Sequence, residues 1–71
     1  MNREEIFKED LSFFKNQCSS LPEVKRKEVE AVLLTKDPWK IVLKLEQFKR
    51  EGLFKSKEFE KRLTEFYGYF C

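Results

Sequence analysis

Two pairs of adjacent carboxylates (Glu4 with Glu5, Glu9 with Asp10), two thiols (Cys18, Cys71) and the serines at 12, 19, 20 and 56 are the side chains whose types could do chemistry. Paired carboxylates can share a proton or hold a cation, thiolates can bind zinc, and a serine attacks when a base activates it. Each use needs a helper that is missing. The chain has no histidine, the residue whose ordinary pKa suits proton transfer near neutrality. A structural zinc ion takes about four N or S ligands, which two cysteines far apart in the sequence do not supply. The carboxylate pairs fall where a first helix would begin and favour its positive end. Cys18 continues an apolar stripe, and most of the serines sit at helix boundaries. The expectation is a protein that is not an enzyme, with no metal, no cofactor and no small-molecule substrate.

The elements that carry these side chains must fit into 71 residues, enough for one small domain over 1–71. A chain of this length buries only about 60% of the surface that its unfolded form exposes. Eight Phe, two Tyr and one Trp argue against disorder. Charged residues make up 39% of the sequence yet nearly cancel, to a net charge of +2. That balance suits helix surfaces with interspersed ion pairs better than a polyanion-binding tail. The opening MNREEIFKEDL holds four acidic residues and the longest apolar run is AVLL, so neither a signal peptide nor a membrane span is expected. Two cysteines do not form the framework of a secreted disulfide scaffold, which points to a reducing, cytoplasmic setting.

Helical signals fill the chain. Asn2 followed by Glu5 is an Asn form of the capping box, and Phe7, Leu11, Phe14 and Cys18 then recur at i, i+4, i+7 and i+11, one narrow stripe of a helix over about 3–18. Ser20 with Glu23 forms a second capping box. It predicts a helix over about 21–34 with Leu21, Val24, Ala31 and Val32 on its inner arc. Asp37 and Pro38 restart the chain as a third helix over about 38–51, with Ile41, Val42, Leu45 and Phe48 inward. Gly52 ends it, with Leu53 placed to seal the end against Phe48. Ser56 opens a fourth helix over about 57–70, in which Phe59, Leu63, Phe66 and Phe70 repeat the spacing of the first. With no alternating strand pattern and only short links, the fold class is all-α: a small four-helix domain of antiparallel or angled helices joined by capped turns.

Two surfaces could carry function. Lys49, Arg50, Lys55, Lys57, Lys61 and Arg62 crowd the corner between the third and fourth helices, a basic rim that can meet phosphates. The segment VLKLEQFKREGLF, residues 42 to 54, resembles the helix-then-corner of helix-turn-helix and winged-helix DNA-binding proteins. The resemblance implies a small nucleic-acid-binding regulator. It departs from that pattern at Phe48, four positions before the glycine, where those proteins generally carry a small residue, and no β-wing follows.

The other surface is apolar. Ile6, Phe13, Leu33 and Leu43 fall off the inward stripes, and Trp39, Tyr67 and Tyr69 add aromatic rings of the kind that anchor interfaces. These seven residues suggest a helical module that binds another protein, as regulator, inhibitor or assembly adaptor; the alternative is that a small core buries helices two and three on more than one side and takes up Val29, Leu33 and Leu43 internally. A homodimer is the simplest way to cover such a surface.

Overall fold

The computed structural model describes residues 2–71. Among them are four α-helices, α1 (Arg3–Gln17), α2 (Glu23–Thr35), α3 (Pro38–Arg50) and α4 (Lys57–Phe70), with a 3-10 turn at Cys18–Ser20 between the first two. The described residues contain no strand, and no helix among them is long and apolar enough to cross a membrane. The fold class expected from periodicity is therefore the one observed.

Three of the four helix starts are fixed by the residues that the sequence marks. Asn2 Oδ1 accepts from the Glu5 amide at 2.8 Å, Asp37 Oδ1 from the Trp39 and Lys40 amides at 3.0 and 3.4 Å, and Ser56 Oγ from the Phe59 amide at 3.3 Å. Each bond satisfies an amide that a helix start leaves without a partner. The start of α2 differs from expectation. Ser20 remains in the 3-10 turn, Leu21 is extended (φ −77°, ψ 154°), and Pro22 occupies the cap position with no side-chain bond. The proline itself explains the shift, because its ring disfavours the helical conformation in the residue before it. A helix cannot begin at Leu21 under that constraint, and the Ser20–Glu23 capping box does not form.

The corner after α3 follows the expected Schellman geometry. Gly52 has φ +81°, the Leu53 amide donates to the Phe48 carbonyl at 3.1 Å, and the Gly52 amide donates to the Lys49 carbonyl at 3.0 Å. The end of α2 uses the same left-handed conformation without a glycine, at Lys36 with φ 57°. A Cβ at Gly52 would meet nothing within 4 Å, so Gly52→Ala isolates the backbone cost. We expect it to destabilise the fold by about 1 kcal/mol, and Lys36→Gly to stabilise it by up to about 1 kcal/mol. Paired urea melts followed by far-UV circular dichroism read both; a neutral Gly52→Ala would mean that the corner relaxes out of the left-handed region.

Each helix packs against two others: α1 on α2 and α4, α3 on α2 and α4, so the four close into a ring. The buried set contains only apolar residues; at its edge one side-chain nitrogen among the described residues, Arg62 Nε, is buried without a hydrogen-bond partner. Its α1–α4 side is aromatic. Phe14 meets Phe59 and Phe66 edge-on at 5.8 and 5.4 Å, while Phe7 meets Phe70 at 5.0 Å. Phe54, from the corner, stacks on Phe59 at 4.1 Å. Its α2–α3 side is mainly aliphatic, built from Val29, Leu33, Ile41, Val42 and Leu45, with Phe48 beneath Lys25 of α2, whose Nζ is 4.9 Å from the ring centre.

Here α2 corrects a second expectation. Leu21 is buried and Val32 packs against the core as expected, and Val29 and Leu33 join them, whereas Val24 and Leu34 are 73% and 80% exposed and Ala31 also faces solvent. Leu33, expected on a partner surface, lies in the core. The reason is that α2 carries apolar residues on two arcs nearly opposite one another, and packing against α3 selects the arc of Val29 and Leu33.

Candidate protein-interaction surface

The cap at Asp37 sets the phase of α3, and that phase decides what its outer face presents. With Ile41, Val42, Leu45 and Phe48 turned inward, the positions 39, 43, 46 and 50 fall in a single line on the far side at 100° per residue. Trp39, Leu43, Glu46 and Arg50 occupy them. Trp39 and Leu43 are about half exposed, and Tyr67 of α4 brings its ring to 6.1 Å from that of Trp39. These side chains line one shallow depression with Val42 at its base. The tryptophan, leucine and tyrosine named from sequence are thus contiguous. The charged members of the line share its i, i+4, i+7, i+11 spacing, a signal that a search for off-stripe apolar residues alone does not register.

The remaining expected interface residues go elsewhere. On α4, Tyr67 and Tyr69 flank the buried stripe on opposite sides, so Tyr69 faces α1. There it joins Ile6, Glu9, Asp10, Arg62 and Glu65 around a cleft, and Arg3 lies over its ring at 5.6 Å. Phe13 is only half-buried, but its own chain covers it: the Arg62 guanidinium sits 4.5 Å above its ring and reaches Asp10 Oδ1 at 3.3 Å. Phe13 also meets Phe14 edge-on at 5.9 Å. It is a seam residue between α1 and α4, which corrects its assignment to a free surface. Burial pushes the Asp10 carboxyl above its ordinary range; Arg62 opposes this, and Glu65 and Glu9 reinforce it.

The basic corner is divided in the same way. Lys49 lies between Glu46 at 3.8 Å and Glu60 at 3.5 Å, and Arg62 is committed to α1. Arg50 directs its Nε toward the Glu46 carbonyl at 3.5 Å and remains exposed. Lys55, Lys57 and Lys61 are exposed and make no ion pair among the described residues. Glu51, beside this corner, is pulled below the usual carboxylate range by a hydrogen bond from Gln47 and next by Lys25, whose Nζ lies 3.3 Å away.

The two thiols have opposite surroundings. Cys18 is fully buried and pushed up to about 11, by burial first and by Glu30 second, whereas Cys71 is exposed. The thiolate is the reactive form. A thiol reagent at pH 8 is therefore expected to label one cysteine per folded chain rapidly and both after unfolding; rapid labelling of Cys18 in the native state would contradict its burial. Because the folded pKa of Cys18 lies above the unfolded one, its contribution to stability is intact below about pH 8.5 and is lost as pH rises toward 11.

No family model, curated protein or solved structure matches this chain. The functional reading therefore rests on these surfaces.

Proposed function

We propose that this chain is a non-enzymatic protein-interaction module that pairs with a second copy of itself through the outer face of α3. The observation that carries the reading is the contiguous exposure of Trp39, Leu43 and Tyr67, each about half accessible. Large aromatic and aliphatic groups gathered around a depression are the usual centre of a binding patch, and no other helix of the chain covers them.

The order of side chains along α3 supports self-pairing. In a two-fold contact, residue i of one copy meets j of the other, and j meets i. If two α3 helices lie antiparallel about a point midway between 43 and 46, Trp39 of each stands opposite Arg50 of the second copy and Leu43 opposite Glu46, with one Leu43 on either side of the axis. A guanidinium on an indole face is a favourable contact. The Trp39–Arg50 contact therefore repeats on both sides of the axis and flanks the two Leu43 side chains. A patch of one helix face and one tyrosine is small, so micromolar or weaker association is expected.

Sedimentation equilibrium from micromolar to millimolar concentration tests this. The mass of the native chain should rise toward twice the monomer value, and Leu43→Asp should abolish the rise while leaving the helical spectrum unchanged. Arg50→Glu should weaken pairing as well. A chain that stays monomeric throughout, or a Leu43→Asp variant that pairs like the native chain, would sink the proposal.

A second reading, a small nucleic-acid-binding regulator, is favoured by one observation: Lys55, Lys57 and Lys61 are exposed and make no ion pair among the described residues. Its mark would be affinity that falls steeply with salt. Duplex binding that ignores replacement of those three lysines would remove it.

A further inference from the structure

A groove of about 400 Å³ runs between α1 and α2, on walls that carry none of Trp39, Leu43 or Tyr67. Its apolar lining is Leu11 and Leu33, with the 80% exposed Leu34 at the rim. Lys8, Lys15 and Lys36 stand around it with Glu30 as the single acid of the lining. We infer that this groove is a second docking site, which receives an acidic amphipathic helix from a partner protein.

Charge complementarity selects the sign of the partner. Three lysines against one glutamate leave the lining net positive, and only Lys8 among the three has an ion-pair partner, Glu4 at 3.7 Å on the exposed surface. Lys15 and Lys36 make no ion pair among the described residues. The conformation of the occupant follows from the walls. Both are α-helices whose amides and carbonyls are already bonded internally, so a docked peptide gains no main-chain partner from them. It must satisfy its own backbone, which a helix does.

The spacing distinguishes such a helix from a fatty acid. Lys8 and Lys15 are seven positions apart on one face of α1, about 10 Å along its axis, and Lys36 lies on the opposite wall. One lipid carboxylate answers one lysine. Carboxylates spaced two turns apart along a rod answer several, with leucine-like residues at i, i+3 or i+4, and i+7 filling the floor between them.

The test is a displayed library of peptides about five helical turns long, with leucine fixed at i, i+3, i+4 and i+7 and every other position free, selected on the full chain. The expected binders carry Asp and Glu flanking the leucines, and titrating one of them shifts the amide resonances of residues 8–15 and 30–36. Leu34→Ala, at an exposed position, is expected to weaken that peptide about tenfold or more, and so is Lys15→Glu. Selected sequences with neutral or basic flanks, proline-rich extended binders, or no binders at all would overturn the inference. So would shifts confined to Trp39, Leu43 and Tyr67, shifts of the groove amides produced by laurate but by no peptide, or shifts there produced by self-association of the chain alone.

Discussion

Phe14→Ala is expected to remove about 3–5 kcal/mol of stability, the usual cost of emptying a fully buried aromatic site. A domain of this size has roughly 4–11 kcal/mol in total, at 0.05–0.15 kcal/mol per residue, so the variant should stand at the edge of unfolding at room temperature. The reason for the size of the effect is position. Phe14 is fully buried where α1 meets α4, with edge-on contacts to Phe59, Phe66 and Phe13. Such ring pairs are worth about 0.5–1.5 kcal/mol beyond the area they bury, and deletion of the hub loses all three at once. Since α1 and α4 close the ring of helices, no other element is placed to fill the space. Urea denaturation followed by circular dichroism, at a concentration where the chain is monomeric, measures the loss. Phe14→Leu, which keeps most of the volume, should retain the greater part of the stability. A loss below about 1.5 kcal/mol in the alanine variant would show that the aromatic seam is not what holds the two helices together.

A neighbouring pair of leucines should then behave as opposites. Leu33→Asn replaces a core side chain that is 8% exposed. It loses the transfer energy of the leucine and leaves an amide with no partner, a combined cost of about 3–5 kcal/mol. Leu34→Asn, one position on and 80% exposed, changes little beyond helix propensity and is expected within about 1 kcal/mol of the native chain. Thermal melts separate the two cleanly, because each kcal/mol moves the midpoint of a domain this small by about 4–8 °C. Equal effects would mean that α2 does not turn Leu33 inward and Leu34 outward. The pair also bears on the groove, since Leu34→Asn should reduce peptide binding there while leaving the fold intact.

The contrast explains why some of this molecule was legible in its sequence and some was not. Asn2, Asp37 and Ser56 act on amides two or three residues away, and Gly52 acts on its own φ. Such local chemistry needs no knowledge of the rest of the fold. The stripes of α1, α3 and α4 were equally plain, because each helix has one dominant apolar arc whose members became the core: Phe14 and Cys18, Ile41 and Leu45, Phe59 and Phe66. In α2, apolar residues lie on two arcs. Periodicity favours Leu21, Val24, Ala31 and Val32; packing keeps Leu21 and Val32 against the core, adds Val29 and Leu33, and leaves Val24 and Ala31 in solvent. The start of the same helix departs from the capping pattern at Ser20 and Glu23 because Pro22 holds Leu21 in extended backbone.

Function follows the same division. The side chains that make up the candidate surfaces were mostly visible as types: aromatic rings off the stripe, lysines at a corner. Their grouping was not, since it depends on which helices are neighbours. Tyr67 and Tyr69 are two residues apart and face different partners, Trp39 and Arg3. Arg62 reads as part of a basic rim and instead covers Phe13 beside Asp10. By itself, then, the sequence determined an all-α chain, three of its four helix N-caps, the αL corner at Gly52 and three of the four buried arcs, because those follow from interactions within about a turn of helix. Only the tertiary structure decided the inward face of α2, the enclosure of Phe13 and Leu33, and the meeting of Trp39, Leu43 and Tyr67, because burial and proximity are set by residues far apart in the chain once the ring of helices closes.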